Sequence, residues 1–311
     1  MTAVPADPPD AAVAGHYGDP YAEQRALVGG TGVVDLSHRD VVRVAGPDRL
    51  SWLHSLVSQH VSDLQPGDST EALLLNPQGH VEHHLQLVET GSEVLAHVEP
   101  GTGPALVEFL DRMRFMLRVE VGLADLAVSW VPGEAEGLGT RTGFGTFLLG
   151  EPAAGTAGMQ AFEALRVAAA RPRLGLDTDH RTLPQEVGWL GAAVHLDKGC
   201  YRGQESVARV WNLGRPPRRL VRLHLDGSDI DLPAVGSDVL LDGRIVGRMG
   251  SAVRHFEEGP IGLALVKRTA PEGATVTVDG IAANLEELDL AVPESPARAA
   301  AESRAGLLRH R

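Results

Sequence analysis

An α+β fold in more than one domain is what this sequence predicts, and two observations carry the prediction. Over roughly the first 130 residues, strand-like and helix-like stretches follow the order strand, helix, strands, helix, strand, which is the order of a ferredoxin-like layer. Past Leu220 the texture changes to short alternating strands with turn signals at Asp226-Gly227, Asp242-Gly243 and Asp279-Gly280, which predicts a small β-barrel or sandwich. Pro216-Pro217 reads as the linker between the two.

Residues 1–15 are rich in Ala, Pro and Asp and are expected to be disordered. Val41-Val42-Arg43-Val44-Ala45-Gly46 is strand-like, and Pro47 can open a helix in its first turn. The spacing of Leu50, Leu53, Val57, Val61 and Leu64 predicts one buried helical face. Strands are expected around Leu73-Leu74-Leu75, from Val81 to Val88 and from Val94 to Val98. Gly103-Pro104 then opens a second helix with Leu106, Phe109, Leu110 and Met113 on one side, before strands at 119–121 and 128–130. The Ala- and Arg-rich segment 291–311 is expected to be a loose tail.

A chain of 311 residues with 43% hydrophobic residues can build a core without disulfides or a structural metal. No apolar run reaches the length of a membrane span, and the first residues lack a basic stretch followed by an apolar one. With a single cysteine, which cannot close an internal disulfide, this predicts a cytoplasmic protein without a membrane partner. The formal charge of −13 opposes direct nucleic-acid binding. Arg202, Arg209, Arg215, Arg218, Arg219 and Arg222 form a local exception. They read as a solvated basic face, or as contacts for an anionic ligand such as a polyglutamate tail. In His80-Val81-Glu82-His83-His84 the strand rise puts His80 and His84 about 13 Å apart, too far to share one ion, so no metal site is predicted. The glycines at 137–143 and 243–250 miss the nucleotide-binding pattern or its helix and are read as turns.

The densest chemical signal is Lys198-Gly199-Cys200-Tyr201-Arg202-Gly203-Gln204-Glu205. A thiol between two cations is expected to ionise readily, and flanking glycines allow close backbone approach. The bland alternative is a small buried hydrophobe. This octapeptide follows Leu183-Pro184-Gln185-Glu186-Val187-Gly188-Trp189 and Ala192-Ala193-Val194. It precedes Val207-Ala208-Arg209, then Gly214-Arg215-Pro216-Pro217-Arg218-Arg219-Leu220 and the stretch from Gly259 to Arg268. In these motifs the sequence resembles the folate-binding YgfZ family, relatives of the glycine-cleavage T-protein that act in iron–sulfur cluster assembly and repair. The resemblance spans about residues 20–290.

The resemblance implies a three-domain T-protein-like fold. Residues 16–41 with 127–215 would form the first domain carrying the cysteine motif, 42–126 an inserted ferredoxin-like domain, and 216–290 a C-terminal β-barrel. It implies tetrahydrofolate or a derivative as cofactor, with Glu186 holding the pterin and Arg209 meeting the glutamate tail. Tyr201, Gln204 and Arg166 are further cofactor-binding candidates. Cys200 would be the reactive thiol, activated by Lys198 and Arg202 and exchanging with a transient, shared iron–sulfur cluster, a persulfide or a partner thiol. The implied partners are iron–sulfur assembly proteins or client enzymes. One departure stands out: His83 and His84 occupy the positions of the T-protein's Asp-Asp pair. An assembly factor is therefore favoured over an aminomethyl or other one-carbon transferase, for which Glu82 is the nearest carboxylate. A non-catalytic folate sensor acting on tRNA modification is the third reading.

Overall fold

The computed structural model describes residues 3–213, 216–228 and 231–290; Arg215 and the expected tail at 291–311 lie outside the described residues. A short antiparallel pair, β1 (Val4–Pro5) and β2 (Ala14–His16), opens the chain. The expectation of a disordered segment at 1–15 is therefore corrected. Val13 joins a hydrophobic core, and Asp10 is buried in ion pairs with Arg173 and His38. Composition missed this because the ordering comes from partners distant in sequence.

Helix α1 (Pro20–Val28) starts where Asp19 accepts hydrogen bonds from the Tyr21 and Ala22 N–H groups and Pro20 pre-sets the first turn. It leads through β3 (Val34–Asp35) into a second unit built of β4 (Asp40–Ala45), α2 (Arg49–Leu56), β5 (Ser69–Leu75), β6 (Val81–Glu89), β7 (Glu93–Val98), α3 (Gly103–Met113) and β8 (Glu120–Ala124). Its five antiparallel strands lie in the order β5-β6-β7-β4-β8. Helix α2 ends at Leu56, eight residues short of the helical face expected to run to Leu64. Val57 turns extended and Ser58 N–H donates to the Leu73 carbonyl, so the chain joins the sheet. Val57 and Val61 are still buried in the same core. Burial, more than helical phase, set that hydrophobic spacing.

The first unit then resumes with β9 (Ala127–Val131), β10 (Gly139–Thr142), β11 (Gly145–Gly150), α4 (Met159–Ala168), a 3₁₀ turn (Pro184–Glu186) and α5 (Gln204–Leu213). Its sheet order is β10-β11-β9-β3, and Trp130, Phe144, Phe147 and Phe162 pack ring to ring beneath it. Strands β12 (Arg218–Leu225), β13 (Asp238–Leu241), β14 (Arg244–His255), β15 (Gly259–Lys267), β16 (Thr275–Val278) and β17 (Ile281–Glu287) close a six-stranded barrel. Two of its hairpins turn on Asp242-Gly243 and Asp279-Gly280, all four residues at positive φ, as tight two-residue turns require. The fold is thus the three-part α+β architecture with a ferredoxin-like unit and a terminal β-barrel. Among the described residues no helix is long and apolar enough to cross a membrane.

One buried ion network joins these parts. The Arg173 guanidinium pairs with Asp10 of the N-terminal segment, Glu99 after β7 and Glu163 of α4. Arg166, also on α4, pairs with Glu163 and Asp177 and donates to the Ser251 hydroxyl in barrel strand β14. Burial alone would raise the Asp10 carboxyl, but hydrogen bonds from Arg173 and His38 hold it well below the usual range. Removing one partner from such a network strands a buried charge, which typically costs about 3–5 kcal/mol. Arg173→Ala is therefore expected to lower stability by about that amount in denaturant unfolding, while the exposed Arg112→Ala changes it by less than about 1 kcal/mol.

Candidate functional site

The ferredoxin-like sheet is covered on both faces. One face packs on α2 and α3, where Ala72, Leu74, Leu85, Leu87 and Ala96 alternate inward. The other lies against the first unit, and there the alternation brings polar residues to the centre. Glu71, Gln86 and His97 are cross-strand neighbours on β5, β6 and β7, with His84 two residues from Gln86. Glu71 accepts from His84 Nε2 at 2.9 Å and pairs with the Arg171 guanidinium. The His84 ring lies 4.7 Å from the Trp189 ring, and His97 lies 4.9 Å from Phe147. The Arg39 guanidinium sits 5.6 Å from the centre of Phe147.

Electrostatics mark this row as unusual. Burial raises the Glu71 carboxyl, but His84 and Arg171 outweigh it and hold it at about 2. Burial, reinforced by Arg39 and His84, drives the fully buried His97 imidazole well below its ordinary range. Gln86 Oε1, both ring nitrogens of His97, Thr140 Oγ1 and Arg39 Nε are buried without a hydrogen-bond partner. Several buried polar atoms without a protein partner in one row make it a candidate polar site.

The cysteine motif forms a second feature, at the surface. Cys200 is free and exposed, so the buried-hydrophobe alternative does not hold. Its loop is held from below. Gly203 (φ +82) and Gly79 (φ +81) meet so closely that a Cβ on Gly203 would lie 2.6 Å from the Asn76 carbonyl oxygen. Only glycine permits that contact, which seats the loop on the β5–β6 turn. Lys198 is buried beneath it, donating to the carbonyls of His54, Val57 and Gln59 where α2 ends. Burial brings Lys198 down to about 8, and the three carbonyls favour its ammonium form at neutral pH. Arg202 pairs with Glu82 at 2.8 Å and lies 5.2 Å over the Phe109 ring. Lys198 and Arg202, the cations expected to activate the thiol, both anchor the loop.

Comparison with known proteins bears on the fold and the family. Residues 218–294 match the CAF17 C-terminal beta-barrel domain. Over 285 residues the chain is 30% identical to the mitochondrial iron–sulfur cluster assembly factor IBA57 homolog of Mycosarcoma maydis, covering 79% of this chain and 68% of that protein. The chain belongs to the IBA57-like iron–sulfur assembly family. The family shares its fold with aminomethyltransferases. That of Nostoc sp. is 27% identical over 301 residues, covering 78% of this chain and 79% of its own. The glycine cleavage system aminomethyltransferase T from Bartonella henselae superposes with a TM-score of 0.73 at 19% identity, over 88% of this chain and 90% of that one.

Within this IBA57-like chain, other expected site residues fall differently. Glu186 is buried and receives both Arg218 Nε (2.9 Å) and Nη2 (2.8 Å), and it also accepts from the Leu183 N–H. Asp179 shares the same guanidinium. Glu186, the expected pterin contact, is thus placed as a brace between the 3₁₀ turn and the barrel. Arg166, read as a candidate cofactor contact or a carboxylate partner, has its guanidinium enclosed by Glu163, Asp177 and Ser251. Tyr201 is buried with its ring 5.1 Å from Lys198 Nζ, burial raising the phenol to about 12. Gln204 donates to the Lys198 carbonyl at 3.3 Å, and Arg209 is exposed on α5. The expected basic face is reduced further. Arg219 donates to the Arg268 and Ala270 carbonyls, and Arg222 pairs with Glu258. Among the described residues no three His, Cys, Asp or Glu side chains are grouped to hold a metal ion.

Glu71, Gln86, His97 and Arg171 escaped notice in the sequence. The available signal was polar residues inside strands that are otherwise apolar on both sides, as in Glu71-Ala72-Leu73-Leu74-Leu75 and Leu95-Ala96-His97-Val98.

His97 also sets a pH dependence. Its folded-state pKa lies below the value of about 6.5 expected when unfolded. Above that pH both states are neutral and no penalty arises. As pH falls, the unfolded chain takes up a proton that the folded chain refuses, and stability declines by up to about 1.4 kcal/mol per pH unit. The melting temperature is expected to fall between pH 6.5 and 5 in the wild type, and less steeply in His97→Gln.

Proposed function

We propose that the protein is a YgfZ-type, tetrahydrofolate-binding factor for the assembly or repair of iron–sulfur proteins. The observation that carries this reading is the exposed Cys200 thiol, on a loop held by the Gly79–Gly203 contact and the Lys198 and Arg202 anchors, in a chain of the IBA57-like family. A cluster normally needs four protein ligands. Cys200 therefore supplies one thiolate to a cluster, the cargo, whose remaining ligands belong to a partner. Binding folate is the task assigned to the buried polar row. Glu71, preset by Arg171 and His84, accepts from the paired N–H groups of a pterin edge, while Gln86 and His97 meet its other polar atoms. When bound, the folate supplies a carrier for one-carbon units; the residues here bind and orient it. The one-carbon transferase alternative loses its nearest carboxylate, because Glu82 is paired with Arg202 at the surface.

In cells lacking the gene, wild-type protein is expected to restore [4Fe–4S] enzyme activity. Cys200→Ala at matched expression should not, and equal rescue by both would remove the thiol from the mechanism. Calorimetric titration with tetrahydrofolate is expected to show binding that weakens roughly tenfold or more in Glu71→Gln, for the loss of a charged hydrogen-bond acceptor. Glu186→Gln, by contrast, should lower the melting temperature and leave the affinity unchanged. A dependence of affinity on Glu186 instead of Glu71 would move the folate site to the brace.

A further inference from the structure

The largest concentration of exposed apolar surface sits at the end of α3. Phe115 and Met116 are 88% and 84% exposed, and Met113 and Leu117 beside them in sequence are exposed as well. Phe115 adopts a left-handed backbone (φ 44) among non-glycine residues, a conformation costly for a bulky side chain. Strain that displays a phenyl ring to water, with no core contact in return, points to a surface shaped for something else. Three guanidinium groups rim it. Arg112 pairs with Glu108, Arg114 with Asp111 and Arg118 with Asp48, and the Arg112 and Arg118 side chains remain 66% and 73% exposed. The Arg112–Glu108 and Arg114–Asp111 pairs are exposed enough to be worth little, so a partner's carboxylates can exchange with those local ones.

The tip is continuous with the cysteine loop. Phe109, under the Arg202 guanidinium, lies one helical turn before Met113 on the same face of α3, a rise of about 6 Å. An apolar path therefore leads from Arg202, two residues from Cys200, to Phe115 and Met116.

Resting on the function proposed above, we infer that Met113, Phe115, Met116 and Leu117 form the docking tip for the protein that shares the cluster with Cys200. That partner carries an apolar groove rimmed by carboxylates, together with its own thiolate ligands. Groove and rim match the apolar tip and its arginines. The missing cluster ligands require the partner to reach the loop at the other end of the same stripe. The two methionines suit such a contact, because an unbranched thioether adapts its shape to the surface it meets.

The test compares Phe115→Glu/Met116→Glu with wild type, Cys200→Ala and the control Val28→Glu, which alters an exposed residue on α1. Each is expressed equally in cells lacking the gene and read by [4Fe–4S] enzyme activity. The double variant is expected to keep its melting temperature and the reactivity of Cys200 with a disulfide dye, while rescue falls roughly tenfold or more, as for loss of a central aromatic contact. The control should rescue fully. Full rescue by the double variant, with Cys200→Ala inactive, overturns the docking tip and leaves the thiol reading standing. Rescue by Cys200→Ala with the double variant inactive does the reverse. Two measurements on purified protein exclude other occupants. Sedimentation with phosphatidylserine-containing vesicles that is lost in the double variant would assign the tip to a membrane. A dimer in wild type that dissociates in the double variant would assign it to a second copy. Either result overturns the inference.

Discussion

The structure depends on a set of buried charges that no single domain could satisfy. Arg173 and Arg166 draw carboxylates from the N-terminal segment, the ferredoxin-like unit, α4 and the loop before the 3₁₀ turn, and a hydroxyl from the barrel. Guanidinium and carboxylate are costly to bury apart and tolerable only together. The network therefore forms when the units are correctly assembled, and it links their relative positions to the stability of each. Both faces of the central sheet are then covered, and the polar row of Glu71, His84, Gln86 and His97 is carried into the interior.

That enclosure separates two kinds of chemistry. The polar row lies deep, among Trp189, Phe147 and Arg39, with hydrogen-bonding atoms left over. Cys200 stands outside, on a loop whose flanking cations are held by the α2 carbonyls and by Glu82. The loop and the row are nevertheless mechanically related. The loop rests on the β5–β6 turn through Gly79 and Gly203, and those two strands carry Glu71, His84 and Gln86. A ligand that ordered the row would act on the strands that support the thiol.

Much of the fold was legible in the sequence because its signals are local. Strand alternation, the helix opened by Gly103-Pro104 and the Asp242-Gly243 and Asp279-Gly280 turns each depend on a few neighbouring residues, and these recur in the structure. Cys200 was legible for a different reason, as a lone thiol within an ordered motif. What misled was proximity along the chain. Lys198 and Arg202 flank the cysteine in sequence, yet their side chains turn to the α2 carbonyls and to Glu82. Residues 3–15 lack the composition of a folded segment, yet Asp10 among them is held by Arg173, more than 150 positions away.

The sequence by itself determined the main strands of the ferredoxin-like unit, the separate barrel with its Asp-Gly turns, and the thiol's motif. Each follows from short-range sterics and periodicity. Tertiary structure alone decided the roles of the ionisable groups. A carboxylate's work depends on which cation the fold brings within about 3 Å, and Coulomb and desolvation energies are set by that distance and by burial. Glu186 and Glu71 could have exchanged roles on sequence grounds. The fold gave Glu186 to Arg218 as a brace and placed Glu71 in the buried row.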